Sequence, residues 1–362
     1  MLTLNTKPTL QLKDLIAFSK YNNVNINLPE NYDSIYWSAS GAQCLADLCK
    51  SLVPKNGSNL IIALPGYFCG QSIRFLRSLQ TEIVFYPLTS RLTPDYSQLE
   101  SRLGNRKLDI FVLVHYFGNV IGQGEANAFS QDKGALFIED CAHVIGYKNI
   151  EWFGDFLLFS PHKLFAIPSI GCLIGRVNNN HHLRTTTSKR NLPIRWMLKQ
   201  IIKSGIKPSL PKWKDFFGTA ISESVNSITS NSFIIKKAIE AFELSQESLL
   251  IRNQNARLLI QKLNKVKNWS LFGSNSAIDS SYVLGMICDS KEIAKRRFNL
   301  LNQNYQLVMQ WPDLPLEISQ DSEILDQAEK WQGLVLFFFI HQQLDTSIWA
   351  RELDKVVEAS NF

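Results

Sequence analysis

Short, unbroken apolar runs set the strongest limit on what this chain can fold into. Ala135-Leu136-Phe137-Ile138, Phe156-Leu157-Leu158-Phe159 and Ile170-Gly171-Cys172-Leu173-Ile174 carry no alternating polar residue. Each therefore predicts a strand covered on both faces. Residues 60–64, 82–86 and 108–114 predict three more strands. Helical spacing over 41–52 and 69–79, and a turn over 118–124 ahead of a further helix, separates them. Alternation of this kind argues an α/β fold with a doubly wound, mostly parallel sheet. Beyond Phe242 the pattern changes. A long helical stretch to Val266 is followed by strand 282–288, helix 291–301, strand 307–310 and a last strand and helix from Leu334. The expected division is a large domain over 1–242 and a small α+β domain over 243–362. A chain of 362 residues, 45% of them hydrophobic, has ample core for both.

The chemistry sits at the ends of two of these runs. Glu139-Asp140 closes the first, and Ser160-Pro161-His162-Lys163 follows the second. Ligands of open α/β sheets bind at the carboxyl ends of strands. A carboxylate that keeps a pyridine nitrogen protonated and a lysine that condenses with an aldehyde are what a pyridoxal phosphate site needs. Each residue also has a plainer reading, Asp140 as a turn or helix cap and Lys163 as a solvated side chain. Spacing alone does not choose between them.

Motif order does choose. Ser40-Gly41-Ala42-Gln43-Cys44-Leu45, Leu64-Pro65-Gly66-Tyr67-Phe68-Cys69, Val114-His115-Tyr116-Phe117-Gly118 and Ile138 to Gly146 follow one another ahead of Lys163. Together they resemble the DegT–DnrJ–StrS family of pyridoxal-phosphate sugar aminotransferases, and a divergent branch of it. The resemblance covers most of the chain and implies the fold-type I architecture. It implies Lys163 as the covalent cofactor residue and Asp140 as the pyridinium partner. It places His143 near the ring hydroxyl and Ser160 on the phosphate. Gly41, Ala42 and Gln43 then form a helix N-terminus that receives the phosphate, and Phe68 or Tyr67 stacks on the ring in place of Cys69. The implied reaction is transamination from an amino donor such as glutamate to a nucleotide-linked keto sugar, in surface polysaccharide or secondary-metabolite biosynthesis. The implied assembly is a homodimer with shared sites. Two departures matter. Ser160 stands three residues before Lys163, two fewer than in most of the family, and Ala42 replaces a phosphate-binding threonine. A family relative with histidine in place of the lysine dehydrates its sugar. Here His162 adjoins Lys163 without replacing it, which favours transamination. A non-sugar substrate, sugar dehydration, and a non-catalytic binding or regulatory role stand as alternatives.

The remaining features narrow the class. No apolar run reaches membrane-spanning length, and the first residues lack a signal-peptide pattern, so a cytoplasmic protein is expected. The six cysteines form no CxxC pair and read as reduced core residues. No metal-ligand spacing is found, His181-His182 included. The net charge of +6 is modest and no nucleic-acid motif accompanies it. Residues 181–214 hold nine Lys/Arg and no acid, with Ile194, Met197, Leu198, Ile201 and Ile202 on one helical face. That segment reads first as a cover for the core, then as a cationic surface for a sugar diphosphate or partner, and last as a contact to an anionic membrane. Trp311 and His341 read as packing and turn residues ahead of pocket-border residues. Arg252 and Asn255 read equally as helix-surface and as catalytic residues.

Overall fold

The computed structural model describes residues 26–177, 230–264, 266–273 and 282–359, with Pro8 and isolated positions between 183 and 196. The apolar helix face at 194–202 and nearly all of the basic stretch 181–214 lie outside these residues.

Seven strands form the main sheet: β1 (Tyr32–Ser38), β2 (Leu60–Pro65), β3 (Thr81–Tyr86), β4 (Ile110–Val114), β5 (Leu136–Asp140), β6 (Phe156–Phe159) and β7 (Gly171–Arg176), in the order β1-β7-β6-β5-β4-β2-β3. β2 to β6 run parallel; at one side β7 pairs antiparallel with β6, and β1 pairs antiparallel with β7 and so runs with the parallel set. β4 and β6 are buried at every position, as the unbroken apolar runs require.

The helix α1 (Gly41–Leu52) begins at Ser40, whose backbone is extended and whose side-chain oxygen accepts the Gln43 N–H at 3.2 Å. It buries Cys44, Leu45, Leu48 and Cys49, one helical face. α2 (Tyr96–Leu103) and α3 (Gln123–Lys133) complete the crossovers. α4 (Ser232–Glu243) places Ala238 and Phe242 in the cluster that includes Tyr147, Leu157, Phe159 and Ile174.

α5 (Ser245–Leu263) belongs to the second core. It packs Ala256, Leu259 and Leu263 with residues of a four-stranded antiparallel sheet made of β8 (Trp269–Leu271), β9 (Val283–Cys288), β10 (Val308–Met309) and β11 (Val335–Phe339). α6 (Lys291–Leu301) and α8 (Thr346–Ala359) flank that sheet, and α7 (Ser322–Leu334) leads into β11. An aromatic cluster joins the two sheets: Tyr67 stacks on Trp311 at 4.6 Å, and Phe117 packs on Phe337 at 4.8 Å.

Several expectations change. Residues 69–79 are not an α-helix. Gly70 donates its N–H to the Asp313 carbonyl, and only Leu76–Ser78 turns helically. A Cβ at Gly70 would lie 2.5 Å from the Leu314 carbonyl oxygen, so a contact distant in sequence fixes this backbone. The long pattern after Phe242 forms one helix, α5 (Ser245–Leu263), set off from α4 by a break at Leu244. β1, β8 and α7 were not expected.

Candidate active site

β5 and β6 lie side by side with Asp140 opposite Leu158, so their carboxyl ends open on one edge of the sheet. Asp140 is the last residue of β5. Ser160 follows β6, and a single 3-10 turn, Pro161–Lys163, closes with the Lys163 N–H on the Ser160 carbonyl at 3.0 Å. A cavity of about 320 Å³ is lined here by Asp140, Lys163, Ser160, Gly41, Ala42 and Phe68, among others.

The N-terminus of α1 opens into this cavity. Ser40 takes the Gln43 N–H, and the Gly41 and Ala42 amides have no intrahelical acceptor, as in the first turn of any helix. Amides so placed, with the helix dipole behind them, suit an anion. Two glycines keep the approach bare. A Cβ at Gly41 would collide with the Ser160 hydroxyl, and one at Gly171 would collide with the Ser40–Gly41 peptide.

Asp140 is buried, with one carboxylate oxygen accepting the Ala142 N–H at 2.9 Å. Burial raises its pKa, and the Lys163 charge only partly offsets this, so the net direction is upward. A cationic N–H beside Asp140 would relieve that cost. His143 is buried between aromatic rings, with Nε2 3.2 Å from Lys163 Nζ. Burial first, then the Lys163 charge, hold the imidazole neutral, well below its ordinary range. An anion-binding helix end, a primary amine and a buried carboxylate seeking a cation on one cavity fit a phosphorylated pyridine aldehyde.

Not every expected residue turns toward the cavity. The Gln43 side chain donates to Asp47 at 2.8 Å and its backbone N–H is taken by Ser40, so it does not join the lining. Tyr67 is fully buried against Trp311, leaving Phe68 and Cys69 on the wall. Trp311 and His341 are buried packing residues. Arg252 and Asn255 are buried as well, not on the helix surface. Arg252 donates to the Leu164 carbonyl at 2.7 Å, directly after Lys163, and to Gln342 Oε1 at 2.9 Å. Burial lowers its pKa to about 9. Asn255 donates to the Ile340 and His341 carbonyls.

Sequence reasoning missed the support behind Asp140. Glu139 points to the opposite face of the strand and accepts from His115 Nε2 and Gln123 Nε2, both at 2.7 Å, and from the Phe153 and Gly154 N–H groups at 2.8 and 2.7 Å. The signal was present as a histidine at the end of one apolar run and a carboxylate at the end of the next. Arg74, Gln71 and Ser72 on the cavity wall were also missed. Among the described residues no group of His, Cys, Asp or Glu is arranged for a metal, and no helix is long and apolar enough to cross a membrane. All six cysteines are free thiols.

Neither a protein-family model nor a curated protein sequence matches the chain. Solved structures do. Helicobacter pylori PseC, an aminotransferase involved in the biosynthesis of pseudoaminic acid, superposes with a TM-score of 0.67 at 11% identity, over 99% of each chain. DesV of S. venezuelae, solved in complex with a ketimine intermediate, gives 0.67 at 14% identity, over 97% of this chain and 94% of its own. The E. coli GDP-4-keto-6-deoxy-D-mannose-3-dehydratase with bound hydrated PLP gives 0.65 at 17% identity, over 91% and 88%. The chain thus has the fold-type I architecture of pyridoxal-phosphate-dependent enzymes. Its structural neighbours include an aminotransferase and a GDP-sugar dehydratase, and the likeness at these identities is one of fold.

Proposed function

We propose that this chain is a pyridoxal-phosphate-dependent aminotransferase that passes an amino group to a keto sugar, with Lys163 as the covalent residue and Asp140 as the partner of the pyridine nitrogen. One observation carries the reading. A buried carboxylate whose ionised form burial disfavours shares a cavity with a primary amine and a helix N-terminus cleared of side chains. The cofactor, when bound, supplies an electron sink that makes a carbanion beside nitrogen accessible. Asp140 accepts the ring N–H and keeps that nitrogen protonated. Ser160 and the Gly41 and Ala42 amides bind the phosphate, so the hydroxyl absent at Ala42 is replaced by backbone donors. Phe68 supplies an apolar wall. Lys163 Nζ takes the proton from the substrate carbon and returns it, acting as base and then acid. We place the domain division at 242/243, beside the break at Leu244 between α4 and α5. The unbridged thiols suit a reducing compartment such as the cytosol.

Borohydride reduction of the purified protein with its cofactor, followed by peptide mapping, should place the label on Lys163. A label on Lys148 or Lys133, or none, would sink the assignment. Lys163→Ala should abolish turnover, because attachment and proton transfer are lost together.

The working unit on this reading is a homodimer with sites at its interface, as the family resemblance implies. Obligate interfaces of this kind bury more than about 2,000 Å². Sedimentation at micromolar concentration should show one species of twice the chain mass. A monomer keeping full activity on dilution would refute the shared site and leave the role of Lys163 standing.

A further inference from the structure

Residues 69–75 bring to the cavity polar side chains that the proposed chemistry leaves unused. Three anchors fix their backbone. Ile73 is fully buried, the Gly70 N–H donates to the Asp313 carbonyl at 2.7 Å, and the Ser72 N–H closes a turn on the Cys69 carbonyl at 2.8 Å. Gln71, Ser72 and Arg74 then line the cavity. Among the described residues, none of these three side chains has a hydrogen-bond or ion-pair partner. The polar side chains that follow them, away from the cavity, are all engaged. Arg77 pairs with Glu317 at 2.6 Å, the Ser78 hydroxyl donates to the Phe75 carbonyl at 3.1 Å, and the Gln80 amide donates to the Gly57 carbonyl. The donors left open on this segment are those that line the cavity.

Among the described residues, Asp140 is the one acid on the cavity wall, and the ring nitrogen of the proposed cofactor claims it. Arg74 therefore keeps its full charge. Its guanidinium carbon lies 4.5 Å from the centroid of the Phe75 ring. Stacking holds the guanidinium plane and leaves its N–H fork open. Such a fork suits a carboxylate or a phosphate. The α-carboxylate of an amino donor is one bond from the reacting carbon, so it must lie deep, beside Lys163. Arg74 is solvent-exposed and stands at the rim. An anion held at the rim belongs to a part of the substrate remote from the reacting carbon. We propose that Gln71, Ser72 and Arg74 form the subsite for the phosphate or diphosphate of a phosphorylated acceptor. Arg74 supplies the charge, and Gln71 and Ser72 supply neutral donors. The assignment rests on the cofactor filling the rest of the cavity as proposed.

Isothermal titration with inorganic pyrophosphate tests the subsite on protein whose cofactor has been fixed by borohydride reduction, so that the anion cradle at α1 is already filled. Saturable binding is expected, weakened at least about tenfold in Arg74→Gln, the worth of one charge-assisted hydrogen bond. Arg74 is exposed, so the variant should melt as wild type does. Arg77→Gln removes a cation from the same segment, but one that Glu317 holds, and should bind pyrophosphate as wild type does. Glutarate has the carboxylates of an amino donor and no phosphate, and Arg74→Gln should leave its binding unchanged. Absence of saturable pyrophosphate binding overturns the subsite, as does equal affinity in Arg74→Gln and wild type, or an equal loss in Arg77→Gln. A loss of glutarate affinity as large as that for pyrophosphate would assign Arg74 to the amino donor and overturn it as well. If reduction labels another lysine or none, the proposed function fails, while the comparison of Arg74→Gln with Arg77→Gln still reports the anion site at the rim.

Discussion

Glu139→Gln removes one charge and changes almost no volume, so its effect isolates the buried pair behind the site. The carboxylate accepts four hydrogen bonds, two per oxygen: His115 and Gln123 on Oε2, Phe153 and Gly154 on Oε1. A glutamine can offer its oxygen to the two backbone N–H groups, but its NH₂ then faces the Gln123 amide donor and His115 Nε2. His115 can answer only by moving its proton to Nδ1, which is buried with no hydrogen-bond partner. Two charge-assisted bonds are lost, at about 1.5–3 kcal/mol each. Breaking a buried pair from one side costs about 3–5 kcal/mol, the same range. For 362 residues melting as one unit, an unfolding entropy of about 0.76 kcal/mol/K turns 4 kcal/mol into a Tm drop of about 5 °C.

The acid limb should change with it. Burial pushes the Glu139 carboxyl up, but the hydrogen bonds from His115, the Gly154 N–H and Gln123 outweigh this, and the net direction is down. A group with a depressed folded pKa stabilises fully above its unfolded value and loses that stability as pH falls through the folded value. Wild-type protein should therefore shed this contribution below about pH 4.3, the ordinary Glu value. Glu139→Gln should melt lower than wild type at pH 7 and converge on it in acid. Calorimetry from pH 7 to pH 3 measures both effects. An unchanged Tm at pH 7, or a constant gap across the range, would refute the pairing.

Asp140→Asn should lower activity by orders of magnitude while cofactor still binds. Burial raises the Asp140 pKa, and a raised folded pKa contributes stability at low pH that is lost as pH rises through it. Cofactor-free Asp140→Asn should therefore melt no lower than wild type at neutral pH, and full activity in the variant would overturn the ring assignment. Gly41→Ala drives a methyl group into the Ser160 hydroxyl. Overpacking of about 1–3 kcal/mol at the anion cradle should weaken cofactor binding about tenfold, measured by titrating stripped protein. Unaltered affinity would move the phosphate elsewhere.

What was legible in the sequence, and what was not, divides by the range of the interactions that decide it. The strands over 135–138, 156–159 and 170–174 declare themselves, because burial on both faces leaves no polar residue in the run. Helix 41–52 is equally plain, since Ser40 and the Cys44/Leu48 stripe act locally. Residues 69–79 have helical spacing, yet Asp313 and Leu314 govern their backbone from the other end of the chain. Gln43 stands at the helix N-terminus as expected, but its side chain is held by Asp47, one turn on. The burial of Arg252 depends on acceptors at Leu164, Tyr282 and Gln342, which no local pattern reveals.

The most informative case is the adjacent pair Glu139 and Asp140, indistinguishable by composition. Strand alternation sends them to opposite faces of one sheet. Glu139 meets four donors and is held ionised, whereas Asp140 has the Ala142 N–H and an open cavity, and burial pushes it the other way. Neighbouring carboxylates driven apart in pKa mark a division of labour. One fixes the strand end, and the other is left needing a cation that the chain supplies only at the distance of Lys163. That unmet demand at the end of β5 is the physical reason to look for a protonated ring nitrogen there. It is also the ground for proposing that Asp140 carries the chemistry, although Glu139 makes the stronger contacts.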